Sequence, residues 1–236
     1  MMTEQPSLSI MVPALNEEAN FAAAASSMIA DCGRHAVDWE LVIIDDGSTD
    51  ATPRMAQDLA GRYPQQIKIV THEKPMGIGK SVWDGLQAAT KETVTWLPGD
   101  GENDPGEIFK YLPLMKHVDF IVPYVTNKDV RSRARRLLSR IFTTIVNTTF
   151  GTFFNYTNGN VIYKRSILKD FVQESTGFFF QTECIIKSSR RGYIFAEVPI
   201  RIRRRLEGES KALTFKSLKS VTRDYFKLVR SVYLRP

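Results

Sequence analysis

The chain is poor in the residues that announce soft-metal, redox or disulfide chemistry. It holds two cysteines, Cys32 and Cys184, and three histidines, His35, His72 and His117, in 236 residues. None fall at metal-ligand spacing, so a zinc or iron–sulfur site is not expected, and the cysteines read as buried thiols of a reducing compartment. No stretch of about 18 apolar residues is present, so no membrane span is expected. The opening MMTEQPSLSI lacks the basic and apolar regions of a secretory signal. Repeats and low-complexity linkers are missing as well.

What is present is unevenly distributed. The net charge is +6, but residues 1–130 carry 10 basic and 19 acidic side chains, while residues 131–236 carry 22 and 7. The first half is therefore at −9 and the second at +15. An acidic half suits metal and nucleotide chemistry; a basic half suits an anionic partner such as phosphate or a membrane surface. Nucleic acid is not expected as a partner, because neither interleaved RNA-binding aromatics nor a recognition-helix motif accompanies the basic residues.

Periodicity predicts strands at 7–12, 40–44, 67–70 and 93–97, alternating with helices at 16–30, 52–63 and 81–90. Such alternation implies an α/β domain with a mostly parallel sheet flanked by helices, whose ligands bind beyond the carboxyl ends of the strands. Three polar clusters sit at those ends: Asn16-Glu17, Asp45-Asp46 and Asp100–Asp104. Beyond residue 130 the spacing predicts a helix over 131–150, with a stripe at Leu138, Ile141, Phe142, Ile145 and Val146. Strands are expected at 160–163 and 194–202. From Leu213 onward a helix is expected with Lys219, Arg223, Lys227 and Arg230 on one side. Leu218, Val221, Tyr225, Leu228, Val229 and Val232 fall on another. That pattern suits an anionic bilayer surface or, equally, packing on the core.

The strongest motif is Val42-Ile43-Ile44-Asp45-Asp46-Gly47-Ser48-Thr49-Asp50-Ala51-Thr52. It is preceded by Val12-Pro13-Ala14-Leu15-Asn16-Glu17-Glu18 and followed by Gly77-Ile78-Gly79-Lys80 and by Leu97-Pro98-Gly99-Asp100-Gly101-Glu102-Asn103-Asp104-Pro105. Later come Gly159–Arg165, Gly192–Ile200 and Arg205-Leu206-Glu207-Gly208-Glu209-Ser210-Lys211. In order and spacing this set resembles family-2 glycosyltransferases, and within them the dolichyl-phosphate mannose synthase branch, which glycosylates polyprenyl phosphates. The resemblance implies a single-domain GT-A (Rossmann-like) fold over residues 1–212. It divides into a nucleotide and metal half (1–130) and an acceptor half (131–212), followed by a basic amphipathic helix at 213–236. It implies inverting transfer of a sugar from a nucleotide-sugar donor to a lipid phosphate, in the cytoplasm and peripherally on the cytoplasmic face of a membrane. No segment specifies a membrane-protein partner or a homo-oligomer.

By the same resemblance Pro13, Leu15, Glu17, Asp45, Asp46, Ser48, Gly77 and Lys80 line the nucleotide. Asp100 and Glu102 hold a divalent metal, Mg2+ or Mn2+, and with Arg205 are the catalytic residues. Arg131, Arg140, Glu183, Arg205, Ser210 and Lys211 face the acceptor and its phosphate. Two positions depart from the family pattern. Pro98 stands where the metal motif has its first Asp, leaving one fewer carboxylate. Cys184 stands where relatives that glycosylate hydroxyls carry an Asp base. A lipid phosphate is already ionised near pH 7 and needs no base, so Cys184 favours a phosphate acceptor. The alternatives are a hydroxyl acceptor on the same fold and a catalytically weak nucleotide-sugar binding module.

Overall fold

The computed structural model describes residues 6–35, 38–202 and 215–234. Seven strands form one sheet in the order β3-β2-β1-β4-β6-β5-β7: β1 Leu8–Ala14, β2 Trp39–Asp45, β3 Ile67–Thr71, β4 Thr93–Trp96, β5 Phe120–Val125, β6 Ile162–Lys164 and β7 Phe195–Ile200. All neighbours pair in parallel except β6, which runs antiparallel to both β4 and β5. The helices are α1 Phe21–Arg34, α2 Thr52–Arg62, α3 Ile78–Ala88, α4 Pro105–Phe109, α5 Arg133–Phe150, α6 Phe180–Arg190 and α7 Phe215–Tyr233.

Strand alternation builds a core on each face of the sheet. Leu41 and Ile43 of β2 pack toward α1, α2 and α4, whereas Val42 and Ile44 pack toward α3, α5 and α6. Strands buried on both faces must be apolar at consecutive positions, which is why ELVII reads as an unbroken run. The predicted helix at 16–30 begins instead at Phe21. Asn16 stands at φ 53°, outside the right-handed helical region, and the N–H groups of Asn16, Glu17 and Glu18 donate to Ser48 Oγ, Thr52 Oγ1 and Asp50 Oδ2, which ties this stretch to the loop after β2. β1 extends past its expected end to Ala14, where Pro13 and Ala14 stay in register with Ile44 and Asp45 of β2, and β4 pairs only with Leu8–Met11, so no ladder bond from a Pro13 N–H is needed there.

Two elements had no sequence signal. β5 carries Pro123, which argues against a strand; it is tolerated because β6 pairs only with Phe120 and Ile121. Helix α6 is buried at every position from Phe180 to Ile186, polar Gln181, Thr182 and Glu183 included, so its polar residues do not mark an exposed face at helical period. The stripe foreseen on α5 is split. Val146 is buried and Phe142 packs on the core, while Leu138, Ile141 and Ile145 are exposed. For α7 the core-packing alternative describes most of the apolar side. Leu228 is 1% exposed, and Val221, Tyr225, Val229 and Val232 pack on the core beside it. Among the described residues, no helix is long and apolar enough to cross a membrane.

Candidate active site

Because β2, β1 and β4 are adjacent, their carboxyl ends bring the three acidic clusters to one edge. The loops after β1 and β2 are bolted together. Asn16, at φ 53°, accepts from Thr49 N at 2.8 Å through Oδ1, and Glu18 Oε2 accepts from Ala51 N at 3.0 Å. Gly99 N donates to Pro13 O at 3.2 Å, tying the Asp100 loop to the end of β1. Pro13 is buried in β1, and Leu15 and Glu17 are half-buried just beyond it.

The adjacent carboxylates of Asp45 and Asp46 do different work. Asp45 Oδ1 accepts from Ser48 N at 2.9 Å, closing the turn, and its other oxygen meets no donor among the described residues. Asp46 is saturated: Oδ1 accepts from Met76 N at 2.8 Å and lies 2.7 Å from His72 Nδ1, and Oδ2 accepts from Gly77 N at 3.0 Å. Asp46 therefore holds the segment under the expected nucleotide rather than presenting itself to a ligand. His72 Nε2 faces Asp84 Oδ2 at 3.1 Å, so the ring bridges the Asp46 and Asp84 carboxylates. Lys80 also pairs with Asp84. His72 and Asp84 were missed from the sequence; the usable signal was that His72 lies at the carboxyl end of β3, the fourth strand end in the row.

The same segment is gripped from the second half of the chain. Gly79 N donates to Thr176 O at 2.8 Å, and Gln173 Nε2 donates to Gly79 O at 2.8 Å. Gly77 adopts φ +95°, and a Cβ there would lie 2.8 Å from Thr176 O, so only glycine fits both the torsion and the space. Glu183, expected to face the acceptor, is instead 2% exposed. Its oxygens accept from Glu174 N and Ser175 N at 2.9 Å each, and from Lys187 Nζ at 2.6 Å. It braces the 173–176 loop from behind. Cys184 is buried in the core next to it. Burial, and then the neighbouring Glu183 carboxylate, push its thiol well above the ordinary range, so position 184 offers no base.

At the expected metal motif, Glu102 N donates to Asp100 Oδ1 at 3.1 Å, and Asp104 caps α4 through Gly106 N. Glu102 Oε1 lies 3.4 Å from Arg131 Nη2 and 4.0 Å from Arg135 Nη2. Arg131 Nη1 also donates to Tyr156 Oη at 3.0 Å. Burial works against the Arg131 charge, but Tyr156 and Glu102 outweigh it and raise its pKa. Its buried Nε has no partner among the described residues. A carboxylate of the expected metal motif and an arginine of the expected acceptor set thus meet directly. Arg140 does not join them; it is exposed on α5. Arg205, Ser210 and Lys211 lie outside the described residues. No group of three or more His, Cys, Asp or Glu side chains that could hold a metal occurs among the described residues.

The family model "Glycosyl transferase family 2" matches residues 9–172, more than half of the chain. A dodecaprenyl-phosphate galacturonate synthase of Rhizobium johnstonii is 27% identical over 165 residues, 69% of this chain and 49% of that protein. An undecaprenyl-phosphate 4-deoxy-4-formamido-L-arabinose transferase of Pectobacterium atrosepticum is 24% identical over 151 residues, 64% of this chain and 46% of the relative. The chain thus spans about half the length of the curated relatives it matches. The crystal structure of glucosyl-3-phosphoglycerate synthase from Mycobacterium tuberculosis with phosphoglyceric acid superposes with a TM-score of 0.71 at 20% identity, over 96% of this chain and 79% of that one. The same enzyme with Mn2+, UDP and glucosyl-3-phosphoglycerate gives 0.67 at 21% identity, with the same coverage. These structures share the GT-A fold, and on the sequence match this chain belongs to glycosyl transferase family 2.

Proposed function

We propose that this chain transfers a sugar, with inversion, from a nucleotide-sugar donor to a polyprenyl phosphate at a membrane surface. The observation that carries the reading is the meeting of Glu102 with Arg131 and Arg135, next to Asp100 at the carboxyl edge of the sheet. Donor diphosphate and acceptor phosphate are both anionic, and two such charges about 5 Å apart repel by several kcal/mol at an effective dielectric near 20. Arg131 is positioned to offset this, and its unpartnered Nε is a donor in reserve for a phosphate oxygen. Both curated relatives named above carry a polyprenyl phosphate in their names, which supports the same acceptor class here.

Asp45 and Glu17 would contact the nucleoside, while Asp46 and His72 hold the Met76–Gly77 backbone beneath it. Asp100 and Glu102 offer hard oxygen donors that fit Mg2+ or Mn2+, the ions found with UDP in the structural neighbours. With Pro98 in place of a third carboxylate, the donor's diphosphate and water would complete the ligand set. When bound, the ion neutralises charge on the departing diphosphate. Arg205 and Lys211 would hold phosphates by their motif. The acceptor phosphate supplies the nucleophile, so nothing is asked of Cys184, whose depth in the core supports this acceptor over a hydroxyl.

The test is to follow labelled sugar from a panel of nucleotide sugars into the organic phase with polyprenyl phosphate, alongside free hydroxyl acceptors. Arg205→Ala is expected to cut transfer severely while leaving donor affinity, by calorimetry, within a few-fold. Transfer to a hydroxyl and never to the lipid phosphate would overturn the reading.

A further inference from the structure

Among the described residues, helix α5 leaves an apolar face without a partner. Leu137 is 60% and Ile141 49% exposed, with Leu138 and Ile145 similarly uncovered. At 100° per residue, with Arg133 at zero, Leu137, Ile141, Ile145 and Leu138 fall between about 40° and 140°. The residues packed inward, Phe142, Val146 and Phe150, lie between about 180° and 260°. Arg133 and Arg140, at about 0° and 340°, form the stripe's edge on one side, and Arg136 stands next to them at about 300°.

This arrangement is unfavourable for a helix alone in water. Four large apolar side chains stay wet, and the first turn carries arginines with no acidic residue, against the helix dipole. An apolar stripe with cations along its edge is complementary to an anionic bilayer, where the side chains enter the acyl boundary and the guanidiniums meet headgroup phosphates. We propose that α5 is the surface by which this protein docks on anionic lipid. The role foreseen for α7 passes to α5 because most of α7's apolar side is spent on the core. The stripe begins two turns or less from Arg131 and Glu102, so docking would bring the proposed site to the membrane surface.

The proposal rests on the lipid-acceptor reading, and the test separates the two. The full chain is centrifuged with phosphatidylcholine vesicles, with and without about one-third phosphatidylglycerol. The wild type is expected to partition onto the anionic vesicles. Leu137→Ser/Ile141→Ser, at exposed positions where a small drop in melting temperature is expected, should lower partitioning at least about tenfold. Arg133→Gln/Arg136→Gln should lower it less and flatten its salt dependence. The serine variant should still glycosylate detergent-dispersed polyprenyl phosphate. Vesicle binding without such transfer would count against the acceptor reading and leave docking standing. A wild type that ignores anionic vesicles, or a serine variant that binds as well, overturns the docking proposal. So does a wild-type dimer that the serine variant converts to monomer without any vesicle binding, since the stripe's occupant would then be a second copy.

Discussion

The two halves of the molecule are built on opposite rules. In the first, carboxylates accept from backbone N–H groups: Asp45, Asp46, Asp50 and Glu18 each close a turn or join two loops. In the second, Arg131 and Lys187 turn inward to Glu102 and Glu183, but α5 presents Arg133, Arg140, Leu137 and Leu138 to solvent. The acidic half uses much of its charge for rigidity, while the α5 arginines of the basic half are left for the anionic surface proposed above. A donor site must be preorganised, whereas a surface that receives a lipid can remain uncovered until the lipid arrives.

The sharpest way to break this contrast is at the acidic loop. Asp100→Asn should reduce transfer between about 100- and 1,000-fold, as loss of one key electrostatic group does, and excess chelator should mimic it. Undiminished wild-type activity in chelator would show that the acidic half works without a metal.

Next is Glu40, which anchors the same half from below. Burial raises its pKa, but bonds from Ser9, Lys68 and Thr90 outweigh that and bring it down to about 2. A depressed carboxylate stabilises above its unfolded value and loses that contribution as pH falls toward the folded one. The stability at stake, about 3 kcal/mol, should therefore disappear between pH 4.5 and about 2. Urea titrations of Glu40→Ala at pH 7 should show a loss of the same order.

Gly77→Ala is milder. It meets both an unfavourable torsion and Thr176 O, and calorimetry should show donor affinity about tenfold weaker. The smallest effect belongs to Cys184→Ala, which should leave transfer within about twofold; a large loss there would assign chemistry to a core position.

Much of the first half was legible. Its strands are apolar runs ended by polar turns, and the Asp45–Thr52 motif identifies its own βα unit. Legibility failed where a tertiary contact decides the outcome. Asn16–Glu18 read as a helix start because their bonds to Ser48, Thr52 and Asp50 join segments more than 30 residues apart. Asp46 read as a ligand because its sequence context matches that of Asp45. Glu183 read as acceptor-facing because a motif position carries no information about depth. Helix α6 escaped because full burial erases its period.

The brace behind the Gly77–Gly79 segment has a thermodynamic consequence. Thr176 O and Gln173 hold that segment, and Glu183 holds the amides of Glu174 and Ser175. A nucleotide that stabilises the segment must also suppress opening of the 173–176 loop, by linkage rather than by contact. Amide hydrogens at Glu174 and Ser175 would then exchange more slowly with donor bound, so occupancy of the proposed donor site would be readable as protection in the other half of the chain.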